Sequence, residues 1–228
     1  MKKITPGKVA MWLFLGTEVM FFTALIGSYI VLRAGSPTTA YSSIYAPNRA
    51  PAFAKENVND KTAAFTKWPR PYDPTTNPLN VKMTWINSII LMTSSVTLSL
   101  AISAIQARKS ALFKLYMLLT LALGSTFLGI QVVEYQELLF PHTPYPIGVS
   151  PTGRFTPDVS LFASCFYTMT GFHGAHVFAG LLTILILTIG AFMNKFSAEN
   201  HSAIEISGLY WHFVDLVWIV LFTVVYLI

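Results

Sequence analysis

Five long apolar runs, separated by polar segments that carry most of the prolines and charges, constrain this chain more than any other feature. Each is long enough to cross a hydrocarbon core of about 30 Å at about 1.5 Å per helical residue. The predicted spans are 9–32, 84–105, 115–136, 159–193 and 203–228. Of the 228 residues, 54% are hydrophobic and only 11% charged, against roughly 25% charge in an ordinary soluble domain. A surface facing water could not be covered from that supply. The chain reads as an all-α integral membrane protein with one domain over 1–228: a five-transmembrane-helix bundle with one long extramembrane loop.

The loop is the segment 35–83, with prolines at 37, 47, 51, 69, 71, 74 and 78, too polar and too Pro-rich to enter lipid. Its length marks it as functional or partly flexible. The run 159–193 exceeds one perpendicular crossing but holds no internal turn signal, so one long, tilted or protruding helix is expected there. Although Met1-Lys2-Lys3 before an apolar stretch resembles a signal peptide, the run from Val9 to Leu32 is too long for a signal core of about 7 to 15 residues. It is read as a retained span.

Five spans place the termini on opposite sides of the membrane. Lys2, Lys3, Lys8, Arg108, Lys109, Lys114 and Lys195 gather in short segments beside helix ends on one side, where the positive-inside rule acts most strongly. The expected topology has a cytoplasmic N-terminus, a periplasmic loop 35–83 and a periplasmic C-terminus, in a bacterial-type inner (cytoplasmic) membrane.

Several function classes drop out. The net charge of +5 sits at helix ends and in loops rather than on one face, which argues against nucleic acid as a partner. Cys165 is the one cysteine, so no disulfide framework forms within the chain and no Cys-based metal site is expected. A phosphate loop, a metalloprotease helix motif and a nucleophile elbow are all missing from the sequence.

The informative positions are the polar residues inside the spans: Glu18, Glu134, His173, His176, His212 and Asp215, with Glu205 near a span end. A charge at the bilayer centre costs about 2.5 to 3.5 kcal/mol on insertion scales, so such residues face the bundle interior and find partners. His173 and His176, three apart on a helix, suit either metal or haem ligation or interhelical hydrogen bonding beside Gly171, Gly174 and Gly180; the second is favoured, because only His212 offers a further imidazole within a span. His212 and Asp215 could pair with each other or jointly meet Glu18. A proton-conducting chain through these groups is the competing reading, weakened by the scatter of Ser and Thr. Glu18 lies nine residues into its span, roughly 14 Å deep at about 1.5 Å per residue. It is expected to point inward and to hydrogen-bond a side chain of another helix, with His212 the first candidate and Tyr or Ser side chains the alternatives.

Four segments carry a family resemblance. Met11-Trp12-Leu13-Phe14-Leu15-Gly16-Thr17-Glu18-Val19-Met20-Phe21-Phe22 resembles the helix that opens the common bundle of cytochrome c oxidase subunit III, with its intramembrane glutamate. Gln131-Val132-Val133-Glu134-Tyr135 resembles that family's Q-x-x-E-Y, and Gly171-Phe172-His173-Gly174-Ala175-His176-Val177 its G-F-H-G-x-H-V. Tyr210-Trp211-His212-Phe213-Val214-Asp215-Leu216-Val217-Trp218 resembles its closing Y-W-H-F-V-D-x-V-W. All four occur in the family order and span nearly the whole chain outside the Pro-rich loop.

The resemblance implies a short five-helix subunit III of a haem-copper terminal oxidase. Such a subunit lies beside catalytic subunit I, with subunit II and other respiratory complex subunits as further partners. It stabilises subunit I, supports proton uptake and binds phospholipid, while haem and copper belong to the partner subunits. Glu18, Glu134, His173, His176, His212 and Asp215 then carry structural or proton-uptake-modulating roles, with no catalytic and no metal-binding residue in this chain. Seven-helix members have two further helices before the Glu-bearing one, which a partner would have to supply to complete a lipid cleft. A cytochrome c oxidase is the first reading and a quinol oxidase subunit III the second. A haem- or quinol-binding redox subunit and a small proton-coupled transporter are the competing classes.

Overall fold

The computed structural model describes residues 5–35, 78–144 and 153–227. Within them the chain forms five helices and no strand: α1 Pro6–Gly35, α2 Val81–Gln106, α3 Ser110–Leu139, α4 Leu161–Phe192 and α5 Ser202–Phe222, the last continued by a π-helical turn, Thr223–Leu227. All five are long and apolar enough to cross a membrane. Between 36 and 77 the Pro-rich loop lies outside the described residues.

Local chemistry explains the boundaries. Pro6 opens α1 at a position where a missing N–H is harmless. Asn80 caps α2, its Oδ1 accepting from the Met83 N–H at 3.2 Å, and Ser160 caps α4, its Oγ accepting from the Ala163 N–H at 3.1 Å. Two helices end alike: α2 passes into Arg108 at φ 59° and α4 into Asn194 at φ 56°. In each, the next N–H returns to the carbonyl five residues back, Lys109 to Ala104 at 2.9 Å and Lys195 to Gly190 at 3.0 Å. These left-handed residues satisfy orphan carbonyls and reverse the chain within a few residues. α1 and α3 overrun the apolar spans 9–32 and 115–136, because hydropathy marks the lipid-embedded part while backbone hydrogen bonding carries the helix onward. α4 is one helix of 32 residues, about 48 Å long.

Helices α2, α3, α4 and α5 pack in a closed ring, each against the next and α5 back against α2, while α1 leans on α5 and α4 from outside. The ring explains the burial: α5 is the most enclosed helix and α1 the least. Trp211, Trp218, Tyr226, Phe127 and Phe166 fill the centre. Trp211 is gripped from two sides. A Cβ on Gly124 of α3 would lie 2.9 Å from its indole, and one on Gly180 of α4 would lie 2.8 Å from it, so both glycines are needed for the indole to pass. Its Nε1–H donates to Ser94 Oγ of α2 at 3.0 Å, so one side chain of α5 touches all three other ring helices.

Candidate functional site: the intramembrane polar residues

Glu18 is the thirteenth of thirty residues in α1, near the middle of the helix. Its Oε2 lies 3.0 Å from His176 Nε2 on α4. The expectation that His212 would meet Glu18 is corrected here: α1 crosses the bundle against the α4–α5 seam, which brings it to the His176 side. The other ring nitrogen, Nδ1, is 2.7 Å from the Phe172 carbonyl and must carry a proton to bond it. One proton therefore remains between Nε2 and the carboxyl, and the pair is neutral overall whichever atom holds it. Phe21 and Phe22 pack on the His176 ring, with Phe172 against Phe21, and Tyr210 of α5 donates to the His176 carbonyl at 3.1 Å. An aromatic sleeve thus surrounds the pair, whose side chains keep only 17% and 19% exposure.

His173 points elsewhere. Its ring stacks on Trp218 with centroids 4.9 Å apart, edge-on to Phe127, and it is fully buried. Among the described residues neither ring nitrogen has a hydrogen-bond partner; the same holds for the Gln131 amide and for Asn87 Oδ1. Three residues along a helix turn the side chain by about 60°, enough here to aim one imidazole at the bundle centre and the other at α1. The two histidines do not converge on a common ligand. Among the described residues, no three His, Cys, Asp or Glu side chains gather as a metal site would need.

Glu134 sits at the other end of the ring, buried between helices. Its Oε1 accepts from Tyr226 Oη at 3.2 Å and lies 3.1 Å from Thr84 Oγ1. The Thr84 hydroxyl also reaches the Asn80 carbonyl at 2.9 Å with its single hydrogen; when it donates there, the contact to Glu134 requires a proton on the carboxyl. The π-helical turn at the end of α5 delivers Tyr226 to this place. Beside it Tyr135 Oη and Thr170 Oγ1 bond at 2.6 Å, joining α3 to α4.

His212 and Asp215 do not pair. Ser95 Oγ bonds His212 Nδ1, and Ser99 Oγ lies 3.2 Å from Nε2, both serines on α2. Asp215 is 5% exposed. The Ser95 hydroxyl lies alongside its carboxyl, yet neither carboxyl oxygen completes a hydrogen bond among the described residues. At the opposite end of the α2–α5 seam from Glu134, Lys8 pairs with Glu205, which also takes contacts from His201 at 3.1 Å and Gln106 at 3.2 Å.

Sequence reasoning missed Thr84, Tyr226, Ser95 and Ser99, the partners rather than the anchors. Ser95, Ser99 and Ser103 recur every four residues on an otherwise apolar helix, a spacing that places them on one face and offered the one signal available.

Comparison with known proteins then decides the family. The model of the family "Cytochrome c oxidase subunit III" matches residues 3–228. The chain belongs to the cytochrome c oxidase subunit III family. It is similar to "Cytochrome c oxidase subunit 3" of Alkalihalophilus pseudofirmus, with 31% identity over 95% of this chain and 84% of that protein. The protein of the same name from Bacillus subtilis is 31% identical over 95% of this chain and 83% of its own length. That of Synechocystis sp. is 39% identical over 71% of this chain and 62% of its own. With five membrane-crossing helices and relatives of this family, the chain is a multi-pass membrane protein, and the subunit III family places it in an oxidase complex of the respiratory chain.

Proposed function

We propose that this chain is the accessory subunit III of a cytochrome c-type haem-copper oxidase, that it stabilises catalytic subunit I and supports its proton uptake, and that it carries no redox centre. The observation behind this reading is how the motif residues are used. Glu18 joins α1 to α4, Glu134 joins α3 to α2 and to the end of α5, and His212 joins α5 to α2. Each contact holds two helices together, as a scaffold requires, rather than aiming several groups at one reacting atom. Glu18 and His176 share a proton inside an aromatic sleeve, which suits tuning of a neighbouring subunit's field better than conduction through this one. Subunit I is the main partner, with subunit II beside it and phospholipid along exposed apolar residues such as Leu13, Met20 and Val31 of α1. The N-terminus lies in the cytoplasm and loop 35–83 in the periplasm of a bacterial-type inner membrane.

Affinity purification of a tagged chain from native membranes tests the reading. Haem-copper subunit I should co-purify, with a subunit II bearing a copper-binding domain. The isolated chain should show no Soret band; a band lost on changing His173 or His212 would replace this reading with a haem-binding redox subunit.

A further inference from the structure

The contacts that tie Glu134 and Tyr135 to their neighbours also fix which residues share a level inside the ring. Thr84 of α2 stands opposite Glu134 of α3, and Thr170 of α4 opposite Tyr135. One turn along each helix from there come Asn87, Gln131 and His173. Trp218 of α5 joins this level, stacking on His173 and donating to Ser88 Oγ at 2.9 Å. Asn87, Gln131 and His173 are 0%, 4% and 1% exposed. Three helices thus each place a polar side chain in the interior of the ring at one level.

Hydrogen bonding there is incomplete in a specific way. Asn87 Nδ2 donates to the Phe127 carbonyl at 3.1 Å, so its Oδ1 is the atom left over. That oxygen, both polar atoms of the Gln131 amide and both ring nitrogens of His173 are without a hydrogen-bond partner among the described residues. His176 closes its Nδ1 onto a carbonyl of its own helix; His173 makes no such bond. The Tyr135 hydroxyl lies beside Gln131, but its hydrogen goes to Thr170, whose own goes to the Phe166 carbonyl at 2.6 Å, so it cannot serve the Gln131 oxygen. What remains is a mixture: acceptors at Asn87, at Gln131 and at one imidazole nitrogen, and donors at the Gln131 amide and the other nitrogen. An ion does not suit this mixture, because no carboxylate stands at this level to offset its charge. One turn onward, toward Trp211, the ring is lined by Leu91, Phe127, Val177 and Val214, none more than 2% exposed.

We propose that this level is a binding site for ordered water, held between Asn87 Oδ1, the Gln131 amide and the His173 imidazole. Water both donates and accepts, so it matches every one of the unpaired atoms, and a buried water typically makes about three hydrogen bonds to such groups. The apolar level closes the site on the Trp211 side. Water held here bridges three helices without forming a path across the membrane.

A density map of the intact complex in native lipid, at a resolution that shows ordered water, tests the site. A peak within about 3.2 Å of Asn87 Oδ1 and of a polar atom of Gln131 or His173 is expected. Direct bonds among the three side chains, or apolar packing with no peak, would overturn it. Gln131→Met and His173→Phe give an independent reading. With water bound, each withdraws one of its holders and should shorten the half-life of the assembled chain at a fixed raised temperature by about fivefold. The double change should cost less than the product of the two, because the same water is lost once. If the groups are merely unpaired, apolar replacement relieves them, and an unchanged or longer half-life would overturn the proposal. Where a variant fails to assemble, the map of the unaltered complex decides. The site lies wholly within this chain, so neither outcome depends on which oxidase surrounds it.

Discussion

At the scale of single residues, the Glu18–His176 contact makes a sharp prediction, because the Phe172 carbonyl already fixes a proton on Nδ1. A glutamine at position 18 can still donate its amide N–H to Nε2, so Glu18→Gln should keep most of the stability. Glu18→Ala and His176→Ala should each lower it by about 1–2 kcal/mol, the usual range for a hydrogen bond lost in a half-buried site. The double variant should be less destabilised than the sum, since either change removes the same contact. Thermal unfolding of the solubilised complex measures all four. If Glu18→Ala also leaves oxidase turnover, proton pumping and functional lifetime unchanged, the proposed influence on proton uptake fails while the structural role survives. At Glu134 the arrangement differs, because the carboxyl stays buried when its partner is removed. Tyr226→Phe should therefore cost about 1–3 kcal/mol, more than the bond itself, read as a lower melting temperature of the complex.

At the scale of helices, the ring closes around Trp211, and the two glycines against it set how near α3 and α4 approach α5. Gly180→Ala would place a Cβ 2.8 Å from two indole carbons and 3.2 Å from Tyr210 Cε1. Neither ring can withdraw: Trp211 is held by Ser94, and Tyr210 by the His176 carbonyl. Overpacking of this kind costs about 1–3 kcal/mol. Gly174 lies on the same helix with open space around its missing Cβ. Gly174→Ala should be neutral or stabilise by up to about 1 kcal/mol through helix propensity. Melting temperatures of the two variants should move in opposite directions or differ by several degrees; equal shifts would show that α4 does not sit on Trp211 as described.

At the scale of the whole molecule, a closed four-helix ring with a fifth helix outside leaves long apolar faces for lipid and partners, and places its polar side chains mainly between helices. Reconstituted alone, the chain should leave a proton gradient intact, because Phe21 and Phe22 pack on the His176 ring and, among the described residues, the Glu18–His176 pair hydrogen-bonds onward to the Phe172 carbonyl, which cannot relay a proton. A leak abolished by Glu18→Gln would favour a transporter. Topology has its own test: a cysteine introduced at Ser43 should react with an impermeant thiol reagent added from the periplasmic side.

Hydropathy along the chain sufficed for the membrane class and for the number of crossing helices, because insertion into lipid depends on apolar content summed over about twenty residues, which is a property of sequence. The absence of an internal turn signal likewise marked α4 as one helix. Motif order carried the family, since it needs only residue identity. Partnerships were another matter. Glu18 could be seen to need a hydrogen-bonding side chain, but whether His212 or His176 supplied it depends on how α1 lies across the α4–α5 seam. That Ser95 and Ser99, rather than Asp215, bond His212 depends on the rotation of α5 against α2, set by the grip on Trp211. Such rotations arise from packing between segments far apart in the chain and leave no trace in the hydropathy of either one. The lipid-embedded helices were therefore a matter of sequence, while the joining of each polar residue to its partner was decided only by tertiary structure.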